Sequence, residues 1–470
     1  MPHDAADPIA YRSTRGGPPL SFEAAVLNGL APDGGLYLPE RLPHFAPEVI
    51  AGWQGMPYAT LAARILAPFT AGTLTQDALE RMCAETYAAF RHPAVAPLKQ
   101  LSANDWLLEL FHGPTLAFKD FALQFLGRLL DPILARKRER VTILGATSGD
   151  TGSAAIHGCR GREHVDIVIL YPHGRVSDVQ RRQMTTVRDA NVHCLAIDGT
   201  FDDCQRIVKT LFLDPGLRDE RHLVAVNSIN WARILAQVVY YFYAAVSLGA
   251  PARRLSFSVP TGNFGDIYAG YLARAMGLPV EKLIVATNSN DILARTIQTG
   301  VYEKTGVTPT LSPSMDIEVS SNFERLLFDL YDHDASAVRA SMESLLQGGR
   351  FQMPAAAYRK LRALFAASRT DDQHTLATIR AFHQATGELL DPHTAVGLAA
   401  AQAHRAEVTG PLVTLSTAHP AKFPEAVRDA TGVSPELPAA LTHLMAGEER
   451  FTRLPNDPAA IKAYLRGKVA

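Results

Sequence analysis

VTILGATSGDTGSAA, residues 141–155, decides the fold. Val141, Thr142 and Ile143 are β-branched and Leu144 extends the apolar run, which breaks at Gly145 into a glycine-rich turn and resumes in small residues that suit a helix. A strand that turns directly into a helix is the repeating unit of a parallel sheet. Working outward, the same apolar runs recur as DIVILY (166–171), VHCLAI (192–197), LVAV (223–226), LSFSVP (255–260), LIVATN (283–288) and LVTLST (412–417). Most intervals accommodate one helix, and the runs are short and rich in β-branched residues. Strands buried on both faces by helices have that pattern. The class is α/β.

Before this region, residues 1–95 carry helical patterns such as SFEAAVLNGL and TLAARILAPF, interrupted by Pro and Gly, and read as a separate mixed N-terminal domain. Residues 96–437 form the α/β region, with a smaller lobe at roughly 135–250. At roughly 300–390 strand signals vanish beneath helical periodicity (NFERLLFDLYDH, ASAVRASMESLLQ), which predicts a helical insertion. Residues 438–470 read as a helical tail. The 470 residues are 47% hydrophobic, so disorder is excluded. Lys+Arg number 46 and Asp+Glu 47, and the net charge of −1 offers no basic field for nucleic acid or an anionic membrane. The longest apolar run, about 238–248, falls short of the ~18 residues that a spanning helix needs. The start lacks a charged region followed by an apolar one. The four cysteines show no disulfide or metal spacing. A cytoplasmic enzyme with a small-molecule partner and no metal is expected.

Two glycine-rich turns follow strands and open helices: GATSGDTGSAA (145–155) and PTGNFGDIYAGYLA (260–273). Such a turn gathers N–H groups at the positive end of a helix dipole and can hold a phosphate without a cationic side chain. Neither fits the dinucleotide or Walker pattern. Glycines that merely permit tight turns remain the plain alternative. The third feature is LELFHGPTLAFKDFALQFLGRLL (108–130). Only ten lysines occur in the chain, and Lys119 stands among apolar residues at the start of a helix, the wrong end for a cation. Desolvation and the dipole both disfavour its ammonium form, which suits a Schiff-base amine. A lysine snorkelling beside a helix-capping Asp120 is the other reading.

These blocks, in order with YRSTRG, SFEAAVLNGLAPDGGLYLPE, NSINWARI, SSNFERLLF and STAHPAKF, resemble the threonine synthase family of fold-type-II pyridoxal 5′-phosphate (PLP) enzymes along most of the chain. The resemblance implies two lobes built on twisted, parallel-type sheets. It implies that Lys119 carries the cofactor and shuttles protons, and that Gly262, Asn263, Phe264 and Gly265 hold the cofactor phosphate with Asp266 beside the helix start. Asp150 would stand where related enzymes place an Asn beside the cofactor's 3′-oxygen, its protonation state open. Thr417 would face the pyridine nitrogen. The implied reaction converts O-phospho-L-homoserine and water to L-threonine and phosphate. Ser148, Thr151, Asn230 and Arg233 are the candidates for the substrate phosphate, and the implied assembly is a monomer or homodimer.

Several assignments stay open on sequence. Asn322 and Arg325 could close over the substrate, while Ser321 and Glu324 also read as a capping box. Lys422 is either an anion contact or a surface lysine. His112 and His419 read as hydrogen-bonded core residues. Another fold-type-II lyase, such as a threonine or serine dehydratase or a phospho-lyase, is one alternative function. A non-catalytic ligand-binding relative is another.

Overall fold

The strand expected at 141–146 forms as Val141–Ala146 in a computed structural model that describes residues 7–225 and 227–469. It lies in an all-parallel five-stranded sheet with the order Thr452–Pro455, Val192–Asp198, Val165–Pro172, Val141–Ala146, Leu223–Val224. Every residue of Val165–Pro172 is buried, as expected for a strand covered by helices on both faces. Val226, the last residue of the LVAV run, lies outside the described residues.

A six-stranded sheet forms the larger lobe, ordered Phe365–Arg369, Val280–Thr287, Leu255–Pro260, Leu412–Ser416, Asp105–Glu109, Leu98–Gln100. Its pairs are parallel except the last, which is antiparallel. Two of these strands correct the sequence reading. The segment 300–390 is not wholly helical: Phe365–Arg369 forms the sheet's edge, and Val301–Glu303 pairs with Arg350–Gln352. FAASR is alanine-rich and follows the helix Ala355–Leu364 without a break, so it carries no strand signature. Asp105–Glu109 is bounded by two acids and escapes the apolar pattern in the same way.

The C-terminal segment also departs from a purely helical tail. Thr452–Pro455 adds an edge strand to the smaller sheet, and the helix Pro458–Lys468 then buries Ile461 and Leu465 against that lobe's core. TRLP, with an arginine and a proline, reads as a strand only because its backbone finds Val192–Asp198.

The lobes meet through two helices, Lys119–Lys137 and Asp150–Cys159, which cross at glycines. A Cβ on Gly127 would stand 2.0 Å from the Gly158 carbonyl oxygen, and one on Gly158 would stand 2.2 Å from that of Leu123. The absence of side chains lets the two backbones touch, which sets Lys119 and Asp150 at neighbouring helix starts. On its other side the Lys119 helix packs Phe121 against Tyr58, Tyr87 and Phe90 of the N-terminal region. Among the described residues, no helix is long and apolar enough to cross a membrane.

Candidate active site

Strands 141–146, 255–260 and 412–416 deliver their following turns to one crevice at their carboxyl ends, where open parallel sheets bind ligands. The loop before Lys119 joins them by backbone pairing: Phe118 N–H donates to the Thr417 carbonyl at 2.9 Å and His419 N–H to that of Leu116 at 3.0 Å. Asp120 does not cap the helix. Its carboxylate folds the preceding loop back, accepting from the Thr115 N–H and hydroxyl, both at 2.8 Å, and burial pushes it up to about 6.

Lys119 is buried at 8% exposure, which rejects a snorkelling role. Its Nζ lies 3.3 Å from Asp150 Oδ2 and 3.3 Å from Ser314 Oγ. Burial lowers its pKa, Asp150 draws it back, and the charges of Lys422 and Arg233 push it down again, so it lies below the ordinary lysine range. Asp150 also receives Gln180 Nε2 at 2.8 Å and Lys422 Nζ at 2.7 Å. Burial raises this carboxyl, but Lys422 and Lys119 outweigh it and hold it well below the usual range; it is ionised. Lys422 is wholly buried, so the surface reading fails, and the anion it meets is the protein's own.

In the second turn, Phe264 adopts the left-handed conformation (φ 64°) at the head of the helix Gly265–Ala275. A Cβ on Gly262 would stand 2.7 Å from the Ser314 carbonyl oxygen, so only glycine fits. Among the described residues, nothing accepts from the N–H groups of Gly262, Asn263, Phe264 and Gly265. Free N–H groups at a helix N-terminus can form a cradle for a phosphate. Asp266 faces elsewhere: Oδ1 accepts from the Tyr240 hydroxyl at 2.6 Å and the Tyr241 hydroxyl at 2.9 Å, tying this helix to Trp231–Ser247, and burial pushes the acid up to about 6.

The 147–152 turn is more economical than its sequence suggests. Thr147 Oγ1 accepts from the N–H groups of Gly149 and Gly152, both at 2.9 Å, which removes those two from anion binding. Ser148 is exposed and Thr151 half-buried at the mouth. Arg233 is buried, its Nε and Nη1 have no partner among the described residues, and burial lowers it to about 10.

Three other candidates are engaged in the frame. Asn230 caps the helix Trp231–Ser247, accepting from Ala232 N–H at 3.0 Å, and donates to the Val26 carbonyl at 2.8 Å. Asn322 donates to the carbonyls of Asn263 (2.9 Å) and Ser228 (3.0 Å). Arg325 is wholly buried and donates to the carbonyls of Tyr37 (3.1 Å) and Ile229 (2.6 Å) and to Asn322. These two brace the cradle from behind. The capping box does not form: Glu324 takes Thr14 Oγ1 at 2.6 Å and Arg15 at 2.8 and 2.9 Å, and Ser321 Oγ meets Asn263 Oδ1 at 3.3 Å. His112 pairs with Glu109 at 2.7 Å and His419 Nδ1 accepts from Ala421 N–H at 3.1 Å.

Sequence reasoning missed Ser314, whose Oγ lies 3.3 Å from both Lys119 Nζ and Asp150 Oδ2, and whose N–H donates to His393 Nε2 at 3.2 Å. His393 Nδ1 in turn meets the buried Asp391 at 2.9 Å. Only the proline turn in LSPSMDI hints at this segment. Thr147 and Gln180 were missed as well; a threonine opening a glycine turn is a signal for an ST-turn, whereas Gln180 has none.

A weakly basic lysine beside an N–H cradle on a parallel sheet meets the two requirements of pyridoxal 5′-phosphate, an amine for its aldehyde and a seat for its phosphate. Residues 90–351 match the family of pyridoxal-phosphate dependent enzymes, so the chain is a PLP enzyme of fold type II. Residues 10–87 match the threonine synthase N terminus and 394–465 the threonine synthase C-terminal region. Threonine synthase of Pseudomonas aeruginosa is 57% identical over 97% of this chain and 98% of its own. The PLP-bound threonine synthase from Brucella melitensis is 54% identical with a TM-score of 0.96, covering 98% of this chain and 99% of that one. The yeast threonine synthase structure gives 40% and 0.94, covering 99% of both. The chain belongs to the threonine synthase family.

Proposed function

We propose that the protein converts O-phospho-L-homoserine and water to L-threonine and phosphate, by elimination at Cγ followed by addition of water at Cβ. The observation that carries this reading is Arg233, a buried guanidinium whose charge acts on Lys119 and whose Nε and Nη1 have no acceptor among the described residues, which suits a second anion. A PLP enzyme acting on an unphosphorylated amino acid has no use for it.

Bound PLP supplies the electron sink that acidifies the substrate's Cα–H and Cβ–H. The N–H groups of Gly262, Asn263, Phe264 and Gly265 would hold the cofactor phosphate, and Thr417, a hydroxyl rather than a carboxylate, would be the side chain toward the pyridine nitrogen. Arg233 grips the substrate phosphate bidentately, with Ser148 and Thr151 at the mouth. Lys119 Nζ takes the proton from Cα and, once it has given that proton up, takes the one from Cβ, since elimination at Cγ needs both deprotonated in turn and one base serves both. Ionised Asp150 accepts from Nζ while the amine is charged. The enzyme acts in the cytoplasm, as a monomer or homodimer, without nucleic acid or membrane.

Purified protein given O-phospho-L-homoserine is expected to release phosphate and L-threonine in equal amounts. Formation of 2-oxobutyrate without threonine would replace this reading with a dehydratase or phospho-lyase. Failure of borohydride to fix PLP on Lys119 would point to a non-catalytic relative.

A further inference from the structure

Asp150 stands between two ammonium groups at unequal distances. Oδ1 is 2.7 Å from Lys422 Nζ, a charge-assisted length, while Oδ2 is 3.3 Å from Lys119 Nζ, a long contact. Lys422 is wholly buried and donates also to the Thr115 carbonyl at 2.8 Å. We propose that Lys422 is a positioning residue for the reaction: it is the standing counterion of Asp150 and thereby leaves Lys119 free to give up its proton.

The argument is electrostatic. A buried carboxylate keeps charged whichever cation neutralises it, because loss of that cation's proton would strand the anion. Were Lys119 the sole counterion, its ammonium would be held and its amine withheld from the cofactor. With Lys422 nearer, Asp150 is paired whether or not Lys119 carries a proton. The other charges facing the group act consistently. Arg233 presses on Lys119 in the same direction as Lys422, Asp266 attracts Lys119 but is tied to two tyrosines, His393 faces Asp150, and Asp120 faces Lys422. Lys422 is fixed in place by the turn Pro420–Lys422, whose first N–H groups fold onto His419. An aspartate at position 150 is compatible with an uncharged lysine at 119 because a second lysine is built in beside it.

The inference rests on Lys119 as the cofactor lysine, and its test reads that residue in protein freed of PLP. Lys119 is labelled by reductive methylation with formaldehyde across pH and quantified by peptide mass spectrometry. In Lys422→Met the labelling midpoint is expected to rise by about one pH unit or more, a roughly tenfold slower reaction at a fixed pH below it. In Lys422→Met/Asp150→Asn it is expected to return to the wild-type value or lower, since no carboxylate remains to hold the ammonium. An unmoved midpoint in Lys422→Met, or a rise that persists in the double variant, overturns the proposal and leaves Lys422 as a brace for Thr115. If Lys422→Met does not fold, recovery of folded protein in the double variant supports the charge role, and failure of both overturns it. Fixation of PLP on Lys119 by borohydride in the wild type keeps a failure of this inference distinct from a failure of the cofactor assignment.

Discussion

Arg233 stands in the first turn of its helix, where the dipole disfavours a cation, and its buried Nε and Nη1 meet no acceptor among the described residues. Lowered only to about 10, it stays charged at neutral pH, and an unpaired buried charge costs stability. An incoming phosphate relieves that cost. Arg233→Met is therefore expected to raise KM for the phosphorylated substrate and the inhibition constant of inorganic phosphate about 10- to 100-fold, the worth of a hydrogen bond to a charged group. The unliganded variant should melt no earlier than wild type. Thermal melts with and without phosphate check both halves. Asp266 gives a pH prediction. Its carboxyl is raised from 3.8 to about 6 by burial, and Oδ2 has no partner among the described residues, so the folded state favours the protonated acid. The stability this contributes is complete below about pH 4 and is lost as pH rises through about 6. Asp266→Asn, which does not ionise, is expected to gain on wild type by about 2–3 kcal/mol between those limits. Urea unfolding at pH 4 and pH 6.5 measures the change, and a constant gap between the two proteins would contradict it.

At the crossing of the Lys119 and Asp150 helices, Gly127 meets the backbone of Gly158 and Gly158 that of Leu123, and neither position has room for a methyl group. Gly127→Ala should cost about 1–3 kcal/mol through forced separation, and Gly158→Ala a similar amount. Because one displacement relieves both clashes, the double variant is expected to lose less than the sum of the singles, a coupling that a thermal-melt cycle resolves. The elements whose own residues insist on a structure were legible: VTILGA, DIVILY and LSFSVP are mostly apolar and became central strands. Phe365–Arg369 and Thr452–Pro455 were not, since edge strands are made by a neighbour's unpaired backbone more than by their own composition. The same division holds in the site. Lys119 and the Gly262–Gly265 turn stand out locally because their chemistry is written in adjacent residues. Ser314, Gln180 and the burial of Lys422 depend on chain segments that meet only in the folded protein. Polar residues beside motifs, such as Asn322 and Arg325, read alike whether they touch a ligand or hold a loop.

Across the whole molecule, Arg325 joins three regions that are far apart in sequence: the Tyr37 carbonyl in the strand Tyr37–Pro39, which pairs with Tyr11–Ser13, the Ile229 carbonyl ahead of the Arg233 helix, and Asn322, which holds the Asn263 carbonyl of the cofactor turn. The N-terminal unit is further tied to this segment by Arg15 and Thr14 on Glu324, and by Asn230 on the Val26 carbonyl. Its placement and the shape of the phosphate cradle thus share one set of hydrogen bonds. Removing the guanidinium strands buried acceptors in all three regions, and Arg325→Met should lower stability by about 3 kcal/mol. The location of the loss is the sharper test. Hydrogen exchange is expected to quicken together at 36–39, 229–232 and 261–266, with PLP dissociating roughly tenfold faster as its cradle loosens. Quickened exchange confined to the helix Phe323–Leu330, with PLP held as in wild type, would mean that the N-terminal unit and the cradle are anchored independently.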